Sequence, residues 1–398
     1  MTSRIAEPIR AIADRAMDPL RRCTGDPEGF LTETWGVRAH VHPAADPQGF
    51  QDLLTLDDVD RILTTTSLRT PSFRLVQAGE QIPESAYTRS GRTGSKPVSG
   101  MADPARIAEL FDDGATIVLQ GLHRNWEPVA AFCRALELQL GHPCQVNAYI
   151  TPPGTQGLAL HADPHDVFVL QAFGRKHWEV HAAPGEPERE PLEADVGPGD
   201  CIYMPTGTPH AASTQRSVSG HLTVGVHVVA WRELVRAAFE RVVSDPSLDE
   251  PIPAGWPADL DGLERSLRDR LWGAGESLGA LDPREIVDAR LERFLSTRQP
   301  LIRGALVDRG TLDQISDGSR VGRRDGSICE LRSRGDRLVV LLGDRRLEMP
   351  TWLEPAMRRI ATTPTFVLGD LADALPDRDA RAVLVRRLVR EGLLRPLP

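Results

Sequence analysis

Two histidines and one aspartate in this sequence have the types and spacing of a metal-ligand set. His161 and Asp163 form an HxD triplet, and His210 ends a separate Gly/Pro-rich motif that begins at Gly199. On a β-strand, alternate side chains share a face, so the imidazole and the carboxylate of the triplet would converge on one point. Two histidines and one carboxylate are the ligand set of non-heme Fe(II) oxygenases, although zinc hydrolases use a similar set. The spacing therefore predicts a metal site and leaves the metal undecided.

Lys176 is the second residue with a chemical meaning. Lys96 and Lys176 are the only lysines among 47 basic residues, a bias toward arginine that reflects GC-rich coding rather than binding. Lys176 nevertheless lies in a strand-like segment whose neighbours are apolar. One interpretation is a lysine that snorkels from a strand edge. The other is a buried cation that holds the distal carboxylate of 2-oxoglutarate, whose opposite end chelates the metal.

The elements that must position these residues lie between residues 144 and 230. Short β-type runs alternate there with Gly/Pro turns and have no helix between them, a pattern typical of antiparallel sandwiches and barrels. Upstream, we predict a helical and irregular region over 10–70, a loop-rich stretch over 79–100 and a helix over 128–140.

The second half of the chain has a different pattern. Residues 231–300 show helical spacing of apolar residues, interrupted by prolines. Residues 326–350 are predicted to form strands joined by Gly-containing turns, and two helices over 368–375 and 380–391 close the chain.

Composition excludes several protein classes. The chain has 398 residues, is 40% hydrophobic and contains no apolar run of the roughly 20 residues that a membrane span needs. Its N-terminus lacks the apolar core of a secretory signal. Five scattered cysteines without a CxxC pair favour neither a disulfide framework nor a cysteine zinc site. We therefore expect no membrane association and a reducing, cytoplasmic compartment.

Charge is distributed unevenly along the chain. Residues 301–398 hold 18 arginines and 14 acidic residues, so they carry +4; because the whole chain carries −9, residues 1–300 carry −13. An acidic body would repel nucleic acid and could attract a basic polypeptide, although ordinary solubility charge is the alternative. A charge of +4 is too small for the concentrated basic face that direct nucleic-acid binding needs.

The segment over 145–212 resembles one known family. Its two parts, VNAYITPPGTQGLALHADPHDVFVLQAFGRKHWEVH and GDCIYMPTGTPHAA, are similar to the JmjC/cupin-type ribosomal oxygenases, which are Fe(II)- and 2-oxoglutarate-dependent protein hydroxylases. A weaker likeness extends over nearly the whole chain. Two positions depart from the family pattern: Ala162 replaces a residue that is often aromatic, and Pro164 follows Asp163.

The resemblance implies roles for four residues. His161, Asp163 and His210 would bind Fe(II) and form the catalytic centre. Lys176 would pair with the distal carboxylate of 2-oxoglutarate, the cosubstrate that is consumed together with O2.

Four further polar residues are expected near the cosubstrate. Asn147 and Tyr149 share one strand face and fall where the family places polar groups around 2-oxoglutarate. The alternative for both is a hydrogen-bonded core residue. His221 and Thr223, on a later strand, are expected to reach the same pocket.

The resemblance also implies an architecture. We expect an α+β protein with a double-stranded β-helix core of the jelly-roll/cupin, JmjC type. Residues 1–230 would form the oxygenase domain with its N-terminal helical region, 231–300 a helical dimerisation domain, and 301–398 a winged-helix-like domain. A homodimer is the expected assembly.

The expected activity is hydroxylation of an arginine or histidine side chain in a ribosomal protein, a basic partner for the acidic body. Two alternatives remain open. One is the same chemistry on a peptide natural product or small molecule, because a fold does not determine a substrate. The other is a non-enzymatic winged-helix regulator whose cupin domain senses a ligand.

Overall fold

The core of the protein is a pair of antiparallel β-sheets. The computed structural model describes residues 18–44, 46, 48–155, 159–182, 191–214 and 216–398. The strands up to residue 226 are β1 (His40–His42), β2 (Phe73–Gln77), β3 (Glu80–Gln81), β4 (Thr88–Thr93), β5 (Lys96–Ala102), β6 (Thr116–Leu119), β7 (Cys144–Thr151), β8 (His161–Ala162), β9 (Asp166–Phe173), β10 (Lys176–Val180), β11 (Leu192–Val196), β12 (Cys201–Met204), β13 (Pro209–Thr214) and β14 (Ser219–Val226).

Eight of these strands form one sheet and four form the other. The orders are β1–β12–β9–β14–β7–β6–β2–β3 and β11–β10–β13–β8. Neighbouring strands in both sheets run antiparallel. This confirms the α+β class and the antiparallel β-core predicted for residues 144–230, and it adds strands from the upstream region to the larger sheet.

The sequence of β7 explains how the larger sheet has two different faces. Val146, Ala148 and Ile150 are buried in the main hydrophobic core, together with residues of the upstream helices. The alternate residues, including Tyr149 and Thr151, point to the opposite face because side chains alternate along a strand. That face is covered by the four-stranded sheet, and polar residues of β7 therefore line the space between the sheets.

In the part of the chain that the structure describes, five helices precede or cover the β-core. They are α1 (Pro19–Thr24), α2 (Pro27–Glu33), α3 (Leu56–Thr65), α4 (Pro104–Asp112) and α5 (Glu127–Leu140). The helix predicted over 128–140 is confirmed as α5. It ends at Gly141, whose φ of 72° is the left-handed conformation that favours glycine after a helix.

The predicted loop over 79–100 is wrong in part. β4 and β5 form a hairpin there, closed by the two residues Gly94 and Ser95 between the paired Thr93 and Lys96. Most of the hairpin's side chains are exposed. No hydrophobic alternation therefore marks the two strands in the sequence, although a Gly-Ser pair is a recognised hairpin signal.

Three helices follow the β-core: α6 (Trp231–Val243), α7 (Leu260–Ala280) and α8 (Pro283–Ser296). The predicted helical character of residues 231–300 is confirmed. Within the described ranges, every helix is too short or too polar to cross a lipid bilayer.

The C-terminal region has a separate hydrophobic core. Its elements are α9 (Ala305–Arg309), β15 (Arg320–Arg323), β16 (Glu330–Arg334), β17 (Arg337–Leu341), β18 (Arg346–Pro350), α10 (Glu354–Thr362), β19 (Thr365–Val367), α11 (Arg378–Arg390) and β20 (Leu394–Pro396). They form two three-stranded sheets with α10 and α11 packed into one core. The strands predicted over 326–350 are confirmed, and the helix over 368–375 is a short 3-10 turn at Leu368–Leu371. The winged-helix assignment and the three domain boundaries stay predictions.

A buried ion cluster joins α5 to the second half of the chain. Glu137 on α5 accepts hydrogen bonds from Arg134, from Arg298 and from the backbone N–H of Cys144. Arg134 also donates to the carbonyls of Gln299 and Gly326. The three charged side chains are 9% exposed or less, so the cluster ties β7, which starts at Cys144, to the region beyond α8.

Candidate active site

The structure brings the three predicted metal ligands together. One ligand atom from each of His161, Asp163 and His210 lies within 4.8 Å of the others. β8 pairs with β13 so that His161 lies opposite His210, and Asp163 follows directly after β8. The loop between β12 and β13 is held to this segment because the N–H of Gly207 donates to the Asp163 carbonyl. The HxD triplet and the later histidine therefore meet through strand pairing.

Backbone carbonyls orient both imidazoles. Nδ1 of His161 lies 2.8 Å from the Ala159 carbonyl oxygen, and Nδ1 of His210 lies 2.9 Å from that of Thr208. When each Nδ1 donates to its carbonyl, each Nε2 keeps a lone pair for a metal. Burial lowers the pKa of His210, which favours the neutral ligand form. Two neutral imidazoles and one carboxylate fit a divalent transition metal such as iron, cobalt or zinc.

A cavity adjoins these ligands between the two sheets, with about 480 Å³ of empty space that includes open solvent. Both sheets contribute to its lining residues, which are Thr116, Tyr149, Thr151, His161, Asp163, Val167, Val169, Lys176, Trp178, His210, Ala212, His221 and Thr223.

Lys176 lies at the wall of this cavity as a buried cation. Its side chain is 2% exposed, and Nζ donates to Thr151 Oγ1 at 3.0 Å. No carboxylate lies within ion-pair distance of it among the residues that the structure describes. Burial lowers the pKa of Lys176 to about 7. A bound carboxylate would compensate for this desolvation, whereas the snorkelling interpretation is wrong because the ammonium does not reach solvent.

The other predicted residues divide between the cavity and its surroundings. Tyr149 and His221 line the cavity and stack, with ring centroids 5.1 Å apart and an interplanar angle of 12°. Thr223 also lines it. Asn147 does not, because its Oδ1 accepts a hydrogen bond from the N–H of Gly121 at 2.9 Å. The predicted contact of Asn147 with a cosubstrate stays a prediction.

Two residues that line the cavity each have a buried polar atom without a hydrogen-bond partner. In the described part of the chain these atoms are Trp178 Nε1 and His221 Nδ1. Burial, followed by the charges of Lys176 and His210, holds the pKa of His221 well below its ordinary value, so this ring is neutral. Because buried polar groups are normally satisfied, these atoms indicate a polar occupant.

Several lining residues were missed from the sequence. Trp178 could have been found, because it lies two positions after Lys176 on one strand and thus shares its face. Thr151 shares the face of Tyr149 in the same way. Thr116 could not have been found from the sequence, because only the pairing of β6 with β7 brings it to the site. Its Oγ1 lies 3.2 Å from Thr151 Oγ1.

Comparison with known proteins agrees with this arrangement. The JmjC domain family matches residues 122–234. Ribosomal oxygenase 1 of Homo sapiens is 30% identical over 293 residues, which cover 68% of this chain and 43% of that protein. Ribosomal oxygenase 1 of Gallus gallus is 28% identical over 310 residues, covering 73% and 47%. The chain thus spans less than half the length of these curated relatives.

A solved structure extends the comparison to the fold. The structure of YcfD, a ribosomal oxygenase from Escherichia coli, in complex with cobalt and 2-oxoglutarate has a TM-score of 0.54 and 20% identity, and covers 94% of this chain and 99% of that one. At this identity the likeness supports the fold alone. The JmjC domain match and the curated relatives confirm the predicted resemblance to JmjC-type ribosomal oxygenases.

Proposed function

We propose that this chain, which carries a JmjC domain and is similar to ribosomal oxygenases over most of its length, is an Fe(II)- and 2-oxoglutarate-dependent oxygenase that hydroxylates a protein side chain. One observation carries the proposal. The candidate ligands His161, Asp163 and His210 and the buried cation Lys176 line the same cavity. A metal site beside an unpaired buried lysine suits a ligand that both chelates metal and presents a carboxylate.

The roles of the chain's own residues follow from their positions. His161, Asp163 and His210 would hold the metal and leave other coordination positions open. With 2-oxoglutarate bound, ferrous iron supplies activation of O2, so that one oxygen atom enters a substrate C–H bond while 2-oxoglutarate becomes succinate and CO2. Lys176 and Thr151 would bind the distal carboxylate, which lies away from the metal. The buried Val167 and Val169 give another part of the cavity wall an apolar surface.

We infer a ribosomal protein as the substrate class, with an arginine or histidine side chain as the target. The similarity to ribosomal oxygenases and the charge of −13 over residues 1–300 support a basic protein partner. The described cysteines are all free and buried, which suits a reducing compartment such as the cytoplasm.

Mass spectrometry of ribosomal proteins tests this function. The protein is incubated with Fe(II), 2-oxoglutarate and ribosomal proteins, and a mass gain of one oxygen atom is expected on one of them. Asp163→Ala should abolish the gain. His177→Ala is the matched control, because His177, Trp178 and Glu179 form a second Hx(D/E) triplet, and Nδ1 of His177 contacts Asp195 at 2.9 Å, away from the cavity.

The same assay separates the alternatives. Succinate formation on adding cell extract, without any modified ribosomal protein, would favour a peptide natural product or a small molecule. No turnover, and no effect of Asp163→Ala, would favour a ligand sensor with a winged-helix domain.

We further propose that residues 231–300 form a dimer interface. Large apolar side chains on α6 and α7 are exposed, among them Trp231 at 81% and Trp272 at 74%, and α7 buries no residue within the chain. A patch of this kind indicates a protein partner. Trp272→Glu should convert a dimer into a monomer in light scattering after size exclusion. The matched control is Leu306→Glu on α9, since Leu306 is also highly exposed, at 87%, but lies outside the patch.

A further inference from the structure

Arg74 on β2 lies in the same strand-to-strand row as Tyr149. β2 pairs with β6 so that Arg74 lies opposite Val118, and β6 pairs with β7 so that Val118 lies opposite Tyr149. The row continues to His221 on β14. Residues that lie directly opposite each other in antiparallel strands project from the same face of the sheet. Arg74 therefore projects from the face of the sheet that lines the cavity.

Burial along β2 and β6 supports this orientation. Their alternate residues Phe73, Leu75, Ile117 and Leu119 belong to the main hydrophobic core on the other face. Val118 is fully buried but is not part of that core. The Cα atoms of Arg74 and Tyr149 are two strand spacings apart, about 10 Å, and a long arginine side chain can cross a short valine over this distance.

Arg74 has an unusual set of neighbours for a half-buried arginine. No carboxylate lies within ion-pair distance of it in the described part of the chain. Burial raises the pKa of Tyr149; the charge of Arg74 lowers it, the charge of Asp163 raises it, and the polar side chains of Asn147 and Arg74 lower it. The shared row and the lack of an acidic partner in the described residues place Arg74 on the side of Tyr149 rather than in an ion pair.

The hydrogen-bonding capacity of a phenol determines the direction in which the Tyr149 hydroxyl donates its proton. A phenolic hydroxyl both donates and accepts hydrogen bonds, whereas a guanidinium only donates. The Oδ1 of Asn147 accepts from Gly121, so its amide NH₂ is left to donate. When a guanidinium or amide N–H donates to the Tyr149 oxygen, the phenolic proton must be donated elsewhere, and Tyr149 lines the cavity.

We propose that Arg74 is a positioning residue that, together with Asn147, orients the Tyr149 hydroxyl to donate a hydrogen bond to a carboxylate bound in the cavity. Arg74 does not contact the ligand in this arrangement and acts through Tyr149. The inference rests on the proposed function, since the ligand it names is 2-oxoglutarate. It also gives Asn147 a role that differs from direct cosubstrate contact.

The small number of tyrosines allows a direct test. The chain contains three, Tyr87, Tyr149 and Tyr203, so protein labelled with 3-fluorotyrosine has few ¹⁹F signals, and Tyr149→Phe assigns one of them. The labelled protein is titrated with 2-oxoglutarate in the presence of Zn(II), which is diamagnetic and redox-inert. We expect the Tyr149 signal to shift on binding in the wild type.

Variants of Arg74 then show whether Arg74 affects 2-oxoglutarate binding through Tyr149. Arg74→Gln should raise the Kd for 2-oxoglutarate about tenfold, the loss of one charge-assisted hydrogen bond, and should reduce the Tyr149 shift. Arg74→Lys should restore part of both. Arg92→Gln is the matched control, because Arg92 lies on the exposed β4–β5 hairpin and should behave as wild type.

A double-mutant comparison distinguishes positioning from a general structural role. In the Tyr149→Phe background, Arg74→Gln should cause no further loss of 2-oxoglutarate affinity, because its effect passes through the hydroxyl. An equal loss in both backgrounds, or a wild-type Kd and signal shift in Arg74→Gln, would overturn the inference. Absence of any 2-oxoglutarate response in the wild type would instead overturn the proposed function, and the inference with it.

Discussion

Two regions of this molecule bury charged side chains and satisfy them in opposite ways. At the junction between α5 and the second half of the chain, Glu137 accepts hydrogen bonds from two arginines and one backbone N–H. In the cavity, Lys176 has one hydroxyl partner and no carboxylate among the described residues. Removing a charge from water is costly unless the charge is paired. The buried charges of the first region compensate each other, whereas the charge of Lys176 is compensated only when a ligand binds.

The largest expected effect comes from breaking the complete cluster. Glu137→Ala should destabilise the protein by about 3–5 kcal/mol, because it leaves Arg134 and Arg298 buried without a counter-charge. Chemical denaturation measures the change in the free energy of unfolding. Glu127→Ala is the control, since Glu127 pairs with Arg303 at the surface and should cost less than about 1 kcal/mol. A loss below about 1 kcal/mol for Glu137→Ala would remove the contrast between the regions.

The incomplete site should respond in the reverse manner. Lys176→Met removes a buried charge that lacks an acidic partner, so the ligand-free protein should be as stable as wild type or more stable. Its Kd for 2-oxoglutarate should rise about 10- to 100-fold, the energy of a charge-assisted hydrogen bond, while metal affinity stays unchanged. Calorimetric titration measures both. Lys96→Met, on the exposed hairpin, should have neither effect; a destabilised Lys176→Met with normal 2-oxoglutarate affinity would contradict the assignment.

The pKa of Lys176 adds a pH dependence to the same comparison. Burial lowers it from 10.5 to about 7 in the folded protein, so the unfolded chain binds more protons between these values. The free energy of unfolding should therefore rise with pH from about 7 toward 10.5, by up to about 1.4 kcal/mol per pH unit. The difference between wild type and Lys176→Met isolates this slope in denaturation curves. Identical slopes in the two proteins would show that Lys176 is charged without a ligand.

The smallest expected effect concerns the hydroxyls next to Lys176. Thr116→Val keeps the side-chain shape but removes a hydroxyl next to Thr151. We expect a two- to fivefold rise in the Kd for 2-oxoglutarate, corresponding to about 0.5–1 kcal/mol, with stability changed by less than about 1 kcal/mol. Thr64→Val, on the exposed face of α3, is the control for the loss of a hydroxyl alone. An unchanged Kd would show that Thr116 does not contribute and that only Lys176 and Thr151 bind the carboxylate of 2-oxoglutarate.

The strongest sequence predictions concern residues whose relation is local. His161 and Asp163 could be paired from spacing, because alternation along the chain puts both on one face. The helix before Gly141 could be placed because its end needs a left-handed residue. The β4–β5 hairpin was not predicted because neither of its faces is buried. Its strands therefore lack the alternation of apolar and polar residues that marks a half-buried strand in a sequence.

The sequence by itself therefore determined the metal triad, the singular lysine and the β-rich class of the core. Only the tertiary structure decided that Lys176 has no acidic partner in the described chain, that Thr116 and Arg74 belong to the cavity face, and that Glu137 joins two regions. The physical reason is that strand pairing and buried charge compensation depend on residues far apart in the chain. A glutamate on a helix or an arginine on a strand carries no local signal of what it will meet.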